Sequence, residues 1–259
     1  MIDTHSHIFV EAFDDDRDEV LRRAAEAGVE LLLCPAIDSA SHEALIRTAA
    51  EHPGVCLPMM GVHPTAINDN PDWERELEIV EKHLADPPAG GFYAIGEVGL
   101  DLHWSRDFLA EQTEAFERQI ELALQYDLPL AIHVRDAWPE MHAVLEKHAG
   151  RGLRGVMHAF SGNFEDYLRV RSAGDFVLGM GGSATYKKNR WRGLLPRIDM
   201  AHVVLETDCP WLTPEPFRGE RNEPSYLTYI RDSAAEILRI PPAELDRLTT
   251  ENARRIFGV

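Results

Sequence analysis

The chain has 259 residues, of which 44% are hydrophobic, and a formal net charge of −18 at pH 7. This length is normal for one α/β barrel, and the apolar fraction with mixed charges excludes an intrinsically disordered chain. No apolar run is long enough to cross a bilayer, and the strong negative charge argues against a protein that coats nucleic acid, because polyanions are repelled.

Eight β-rich segments recur along the chain and alternate with helical patterns. They begin at intervals of roughly 30 residues, the size of a βαβ unit, and their near-continuous apolar character is typical of parallel strands covered by helices. In chain order they are 1–9, 29–36, 55–64, 92–101, 129–137, 154–160, 176–182 and 202–210. Eight such units predict an α/β fold, a (β/α)8 TIM barrel, formed as a single domain over residues 1–259.

Helical spacing is clearest over 107–127, where Phe116, Ile120 and Leu124 recur every four residues on a polar background. Serine, proline and glycine signals bound two further predicted helices, and a short helix is expected at the end of the chain. These three helices are predicted within 39–54, from Pro224 to Pro241, and over 250–259.

Polar side chains interrupt the apolar segments, mostly towards their carboxyl ends. In an α/β barrel this end faces the active-site mouth, whereas a polar group in mid-strand would need a buried partner. Asp3, His5 and His7 share one face, because side chains alternate along a strand. The other segments contribute His63, Glu97, Asp101, His133, Arg135, His158, Glu206 and Asp208. One buried histidine is ordinary, but so many titratable groups at one rim are unfavourable together without a cation.

The mixture of imidazole and carboxylate without thiolate is typical of a hydrolytic site for divalent cations. Zn, Mn, Co or Ni would suit it, and Mg would suit it where oxygen ligands dominate. One catalytic ion keeps about three protein ligands, so this set predicts two ions per chain. Glu97 is the natural bridging carboxylate, because Gly96 and Gly99 let the backbone pack closely around it. From the residues alone, four histidines and two carboxylates of this rim are the expected ligand types.

Seven short motifs stand in order at barrel spacing: DTHSH (3–7), GVHP (61–64), GEVGLD (96–101), IHVRDA (132–137), HAFSG (158–162), ETDCPWL (206–212) and RNEP (221–224). With them the chain resembles the TatD-type metal-dependent hydrolases of the amidohydrolase-like barrels over essentially its whole length. The resemblance implies a dinuclear centre in which one ion has four protein ligands, the other has three, and Glu97 serves both. The first ion would be held by His5, His7, Glu97 and Asp208, and the second by Glu97, His133 and His158. It also implies phosphodiesterase activity on DNA, as a deoxyribonuclease or 3′–5′ exonuclease.

We therefore expect a metal-dependent hydrolase in which water activated by two ions attacks a phosphodiester. Glu97 and Asp208 are the predicted catalytic residues, and Asp208 would accept or relay the proton. DNA would be a transient substrate, no obligate protein partner is expected, and the chain would be a monomer or weak oligomer. The alternative is a hydrolase of a carboxylic ester or amide, such as a D-aminoacyl-tRNA ester, on the same site. A catalytically idle metal-binding barrel is disfavoured by the complete ligand set.

Three further residues are candidate substrate contacts: His63, Arg135 and Glu206. Arg135 could hold a phosphate or pair with Asp101 or Asp136. His63 could contact substrate, shuttle a proton or cap the turn that follows it. Glu206 shares a face with Asp208 and could equally orient a ligand histidine.

Several other features allow two interpretations. In the basic run 186–197, lysines and arginines could follow a phosphate backbone while Trp191 stacks on a base, or the run could be a solvated face. Three tryptophans that follow strand ends could line the pocket or fill the space beneath the loops: Trp104, Trp138 and Trp211. The glycines of 179–182 favour tight packing over phosphate binding. No role for Asn222 and Glu223 follows from the residues themselves.

The three cysteines are odd in number and form no CxxC pair. Cys34 and Cys56 lie in apolar runs, where a reduced thiol acts as a small hydrophobic group, so a disulfide framework is not expected. The amino-terminal residues are acidic and do not show a basic segment followed by an apolar one. The sequence therefore predicts a soluble, cytoplasmic protein without membrane contact.

Overall fold

A computed structural model describes all residues from 1 to 259. Eight parallel strands overlap the eight predicted segments, in the same order. They are β1 (Ile2–Asp3), β2 (Leu31–Pro35), β3 (Cys56–Met59), β4 (Ile95–Asp101), β5 (Leu130–Arg135), β6 (Arg154–Met157), β7 (Asp175–Met180) and β8 (Val203–Leu205).

Neighbouring strands pair in chain order within two groups, β1 to β3 and β4 to β8. Backbone hydrogen bonds just beyond the strands join both seams. At one seam the amide of Met60 donates to the carbonyl of Ala94 at 3.1 Å, and at the other the amide of Thr4 donates to the carbonyl of Leu205 at 3.0 Å. The sheet therefore closes on itself, which confirms the predicted (β/α)8 barrel.

Nine helices accompany the strands, and short 3₁₀ turns lie in several connections. The helices are α1 (Arg17–Glu26), α2 (His42–Glu51), α3 (Trp73–Ala85), α4 (Leu109–Gln125), α5 (Trp138–Lys147), α6 (Phe164–Ala173), α7 (Trp191–Leu194), α8 (Leu227–Leu238) and α9 (Pro242–Phe257). The helices predicted within 39–54, over 107–127 and after Pro224 correspond to α2, α4 and α8. None of the nine combines the length and apolar composition required to span a membrane.

The last helix is longer than the predicted 250–259. It begins at Pro242, a residue tolerated in the first helical turn, where its missing N–H would have no partner in any case. Its buried face includes Thr249 and Asn252, which are polar, so the apolar periodicity that reveals the other helices is weak here.

The inside of the barrel is filled by apolar side chains from every strand region: Ile2, Leu33, Leu57, Met59, Ala94, Ala131, Val156, Val177 and Val204. Ala253, Ile256 and Phe257 of α9 pack against this layer. Since the carboxyl ends of the strands carry the polar residues, α9 covers the opposite, amino-terminal end of the barrel. That residues 1–259 form a single domain stays a prediction.

Several polar residues expected on strands lie just beyond them, because β1 and β8 are short. His5 and His7 follow Asp3, the last residue of β1, and Glu206 and Asp208 follow β8. Asp208 adopts a left-handed backbone conformation with φ of 58°, which Asp tolerates better than most residues. Residues past a strand end leave the ladder of hydrogen bonds, so their side chains can turn over the mouth of the barrel.

Candidate active site

The six predicted metal ligands converge at the carboxyl ends of the strands, around Glu97. The Nε2 atoms of His5 and His7 lie 3.1 Å apart. Glu97 contacts His5 Nε2 through Oε2 at 3.1 Å and His133 Nδ1 through Oε1 at 3.0 Å. One carboxylate thus spans two groups of imidazoles, as expected for a bridging residue.

Asp208 and His158 complete the cluster. The Oδ1 atom of Asp208 lies 3.5 Å from His158 Nε2, 3.6 Å from His7 Nε2 and 3.7 Å from His5 Nε2. His158 Nε2 is in turn 3.9 Å from Oε1 of Glu97. The structure therefore brings together all six side chains that the sequence singled out.

Two glycines allow β4 to lie close enough to β5 for this arrangement. Gly99 has φ of +134°, and a Cβ atom there would fall 2.1 Å from the carbonyl oxygen of His133. A Cβ atom at Gly96 would fall 2.6 Å from the Cβ atom of Ala131. The glycines expected to permit close packing around Glu97 do so.

The donor atoms of the cluster fit a divalent cation better than they fit one another. The two facing Nε2 atoms of His5 and His7 cannot both present lone pairs across 3.1 Å without a proton or a cation between them. The separations between ligand atoms are close to the roughly 3.3 Å that separates neighbouring ligands around zinc with bonds of about 2.0–2.1 Å. Two triplets around Glu97 have mutually close ligand atoms: His5, His7 and Glu97, and His63, Glu97 and His133.

His63 belongs to this cluster more closely than the sequence indicated. Its Nδ1 atom accepts the backbone N–H of Thr65 at 3.1 Å, so it does cap the turn at Pro64–Ala66. Its Nε2 atom faces Oε1 of Glu97 at 3.4 Å. Capping the turn and facing the cluster are therefore compatible, and His63 is a seventh candidate ligand or proton carrier.

Burial and opposite charges shift the pKa values of the cluster in a consistent pattern. Burial, the largest single effect on His158, opposes its charging, but Glu206, Asp208 and Glu97 outweigh it and raise the pKa of His158 to about 10. Burial also opposes ionisation of Glu97, yet the surrounding imidazoles hold its pKa well below the ordinary value. The pKa of His5 is lowered, because burial and the neighbouring His158 disfavour its charge. The site thus favours ionised carboxylates that require a balancing positive charge.

Glu206 stands behind His158 and does not face the substrate side. Its side chain is fully buried, with Oε1 3.0 Å from His158 Nδ1 and accepting the backbone N–H of Ala159 at 2.5 Å. Gly179 makes room for it, because a Cβ atom there would fall 2.1 Å from Oε2 of Glu206. This geometry matches the alternative of a carboxylate that orients a ligand histidine, and it leaves no surface for the substrate contact also considered for Glu206.

A cavity of about 730 Å³ opens above the cluster, and its walls include Trp104, Arg135, Ser161, Trp211 and Leu212. Trp104 is 69% exposed and Trp211 is 49% exposed. Trp138, the third tryptophan considered, packs instead on the ring of Phe160 at a centroid distance of 5.1 Å. Two of the three tryptophans therefore line the pocket.

Arg135 pairs with neither of the aspartates considered as its partners. Asp101 contacts Nε2 of His133 at 2.9 Å, and Asp136 contacts Nδ1 of His103 at 2.9 Å. The Arg135 guanidinium forms no ion pair or side-chain hydrogen bond and lies 5.5 Å from the ring centroid of Trp104. It is a free cation on the cavity wall, available to an anionic ligand.

The basic run 186–197 does not present its aromatic residue. Trp191 is buried and packs against Phe160 at a centroid distance of 6.2 Å, so it cannot stack on a base. Arg190 donates to the carbonyl of Ser161 at 2.6 Å, while Lys187 and Lys188 are exposed. The glycines that precede the run are closely packed, in agreement with the interpretation that the sequence favoured. A Cβ atom at Gly182 would fall 1.8 Å from the backbone oxygen of Leu212.

Asn222 and Glu223 do not line the cavity but hold the loop that follows β8. The Asn222 amide donates to the carbonyls of Thr207 at 2.8 Å and Trp211 at 2.6 Å. Glu223 forms an ion pair with Arg23 of α1 at 2.7 Å. Both residues therefore position the segment that carries Asp208 and Trp211.

Asp3 is a site residue to which the sequence assigned a face but no role. It accepts the backbone N–H of Thr207 at 2.8 Å and contacts the Thr207 hydroxyl at 2.5 Å, which ties β1 to the segment after β8. Burial raises its pKa to about 7. The signal that could have found it is the alternation of Asp3 with two predicted ligands on one strand face.

Comparisons with known proteins agree with this geometry. A family model described as TatD related DNase matches residues 2–258. The chain is 34% identical to the Bacillus subtilis protein named uncharacterized metal-dependent hydrolase YabD, and the match covers 100% of this chain and 99% of that protein. It is 33% identical over 99% of both chains to the 3′-5′ ssDNA/RNA exonuclease TatD of Pectobacterium parmentieri. The crystal structure of YjjV, a TatD homologue from Escherichia coli, matches with a TM-score of 0.90 at 29% identity over 100% of this chain and 98% of that one. The chain belongs to the TatD related DNase family, as its motifs predict.

Proposed function

We propose that this protein is a metal-dependent phosphodiesterase that removes nucleotides from the 3′ end of single-stranded nucleic acid, with two divalent cations per chain. The proposal rests on one observation: Glu97 joins two groups of imidazoles at the floor of an open cavity whose wall holds Arg135, which has no acidic partner. Relatives that share about a third of the sequence bear the name 3′-5′ ssDNA/RNA exonuclease. A cytoplasmic location and a monomeric or weakly oligomeric state stay predictions.

We assign the cluster to two ligand sets that share Glu97, as the motifs imply. His5, His7, Glu97 and Asp208 would hold one ion, and Glu97, His133 and His158 the other. When bound, the ions supply Lewis acidity, which favours deprotonation of water and offsets negative charge on the phosphate. Nitrogen and oxygen donors without sulfur suit Zn, Mn, Co or Ni, and Mg to a lesser degree.

The chain's own residues orient the substrate and move the proton. Asp208 lies where the cluster meets the cavity, and His158 and His7 hold its pKa below the ordinary value although burial opposes this, so it is ionised and can relay a proton. Arg135 binds a phosphoryl oxygen, because it has no acidic partner of its own. Glu206 and Asp101 keep the rings of His158 and His133 in orientation.

The test is Glu97→Gln, which keeps the volume of the side chain and removes its charge. We expect hydrolysis of a single-stranded oligonucleotide to fall by more than about 100-fold, because a metal ligand shared by both sets is lost. The metal content measured by elemental analysis should fall below two ions per chain, while the circular dichroism spectrum stays that of a folded barrel.

Glu78→Gln is the matched control, since Glu78 is exposed on α3 and forms no ion pair. Full metal-dependent nuclease activity in Glu97→Gln would contradict the proposal. Cleavage of mischarged tRNA or of small esters by the wild type, without cleavage of the oligonucleotide, would instead favour the ester or amide hydrolase considered as the alternative.

A further inference from the structure

We propose that Trp104 and Trp211 are base-stacking residues that hold the terminal unpaired nucleotides of the substrate above the ligand cluster. The inference rests on the proposed nuclease function and adds the side chains that select a base-bearing, unpaired end. It follows from their exposure, their placement across the cavity, the contacts that fix their rings, and the size of the cavity.

Large apolar side chains are seldom exposed in this protein, and those that are concentrate at the cavity. Only five are exposed: Trp104, Leu168, Trp211, Leu212 and Tyr229. Three of these five line the one cavity that contains the ligand cluster. An exposed apolar patch at a functional opening marks a binding surface, because leaving such area in water is unfavourable without a partner.

The two tryptophans lie on opposite walls of the mouth. Trp104 follows β4, and Trp211 follows β8. In a closed barrel of eight strands paired in chain order, these strands are four positions apart and face each other across the axis. A single-stranded nucleic acid that enters the cavity therefore passes between two indole rings on its way to Glu97.

Both rings are held in place while much of their surface stays open. The Trp104 ring lies against the guanidinium of Arg135 at 5.5 Å and edge-on to the ring of His103 at 5.0 Å. The Trp211 ring stands edge-on to His7 at 5.0 Å, and the backbone carbonyl of Trp211 accepts the Asn222 amide. Fixed rings bind with a smaller entropic cost than mobile ones, which is favourable for stacking platforms.

The size of the cavity decides which form of nucleic acid can use these rings. Its volume of about 730 Å³ falls in the range of small-ligand pockets, roughly 300–1,000 Å³. A duplex cannot reach the buried ligands at the floor, so the terminal nucleotides must leave their stack. Stacking on exposed indoles replaces the lost base stacking, and Arg135 beside Trp104 places a cation next to the adjoining phosphate.

The experiment compares base-bearing and abasic ends on metal-loaded protein. One oligonucleotide carries normal bases, and a second carries abasic sites at its two 3′-terminal positions. The variants are Trp104→Leu and Trp211→Leu, with Tyr229→Leu as a control because Tyr229 is an exposed aromatic residue outside the cavity. KM and kcat are measured for each, and Kd is measured by fluorescence anisotropy with 3′-phosphorothioate ends that slow cleavage.

Each tryptophan variant should raise KM and Kd for the base-bearing strand by roughly 5- to 150-fold, the range that stacking of one base provides. The same variants should change Kd for the abasic strand far less, so that the preference for bases shrinks. Trp104→Phe should retain most of the preference, since a phenyl ring still stacks, and Tyr229→Leu should behave as wild type. Comparison with the abasic oligonucleotide separates loss of stacking from a disturbed metal site, because a disturbed metal site would weaken the binding of both oligonucleotides equally.

The outcomes separate this inference from the function on which it rests. If the wild type cleaves oligonucleotides but the ratio of base-bearing to abasic Kd is the same in the leucine variants as in the wild type, stacking by these residues is wrong and the nuclease function stands. If the metal-loaded wild type neither binds nor cleaves either strand, both are wrong.

Discussion

At the scale of single residues, a further carboxylate contacts each segment that carries a predicted histidine ligand. Asp101 contacts His133 Nε2 at 2.9 Å, and Glu206 lies 3.0 Å from His158 Nδ1. Asp3 accepts the backbone N–H of His5 at 3.3 Å. Asp101 and Glu206 thus fix the orientation of the His133 and His158 rings, and Asp3 holds the backbone of His5, so the geometry of the cluster depends on these carboxylates as well as on the predicted ligands.

Asp3→Asn is predicted to stabilise the metal-free protein at pH 8. The folded-state pKa of Asp3, raised by burial to about 7, exceeds the ordinary value of 3.8, so ionisation of Asp3 destabilises the folded state above pH 7. An amide keeps the hydrogen-bonding pattern with Thr207 without carrying charge. We expect a gain on the order of a few kcal/mol in the free energy of unfolding at pH 8, which shrinks as the pH falls from 7 to 4.

Urea denaturation at pH 5 and pH 8 measures this difference. Asp72→Asn, at an exposed position in front of α3, is the control and should show no such trend. If Asp3→Asn were less stable than wild type at both pH values, the carboxylate would be contributing favourable charged hydrogen bonds, and the assigned direction would be incorrect.

At the scale of elements, the approach of β4 to β5 sets the position of Glu97 against His133. Gly99→Ala should lower the free energy of unfolding by more than about 2 kcal/mol, because a Cβ atom 2.1 Å from a carbonyl oxygen forces the strands apart and the φ of +134° disfavours alanine. Metal affinity should fall as well, since the two strands carry ligands from both sides of the gap. Denaturant unfolding and metal titration by calorimetry measure the two effects.

Gly193→Ala is the matched substitution, because a Cβ atom at Gly193 meets nothing within 4 Å. It should leave both stability and metal affinity near those of wild type. Equal behaviour of the two alanine variants would show that the strands tolerate a side chain at Gly99 and that their close approach is not required.

The elements were predictable where one sequence signal sufficed. Apolar runs revealed all eight strands, and polar residues at their ends indicated a titratable cluster, within which the resemblance of the motifs to a known family selected the six predicted ligands. The length of α9 was not predictable, because its buried face includes the polar residues Thr249 and Asn252, which weaken the apolar periodicity. The ends of the strands were not predictable either. The extent of β1, which is only two residues long, depends on hydrogen bonds to β2, and β2 lies about 30 residues further along the chain.

Side-chain direction was the least predictable feature of the site. Whether Glu206 faces substrate or His158 depends on the space left by Gly179 on the neighbouring strand. The burial of Trp191 against Phe160 likewise depends on packing between distant segments. Both are tertiary effects, which a motif along one segment cannot report.

At the scale of the whole molecule, a net charge of −18 opposes the approach of the polyanion that we propose as substrate. Because Arg135 is the free cation on the cavity wall, we expect one or two phosphate contacts. KM for a single-stranded oligonucleotide should then rise only about 3- to 7-fold between 50 and 200 mM salt, against about 300- to 16,000-fold for six to ten contacts on a single strand. Steady-state kinetics over a salt series measures the slope.

Arg135→Gln should flatten this slope, whereas Lys187→Gln, in the exposed part of the basic run, should leave it unchanged. A steep slope that Lys187→Gln reduces would show that the 186–197 run does engage the phosphate backbone, and the substrate path would extend beyond the cavity.

The barrel closes where Ser6 meets Cys209, 203 positions apart, beside His7 and Asp208. A ribosome delivers the amino-terminal histidines early, Asp208 late, and the three side chains of α9 that seal the far end later still. The nascent polypeptide therefore cannot gather its six predicted ligands until Asp208 has been synthesised and this seam can form. A product of aborted translation that ends before residue 208 would hold its histidines on an open sheet, without the seam that brings them together.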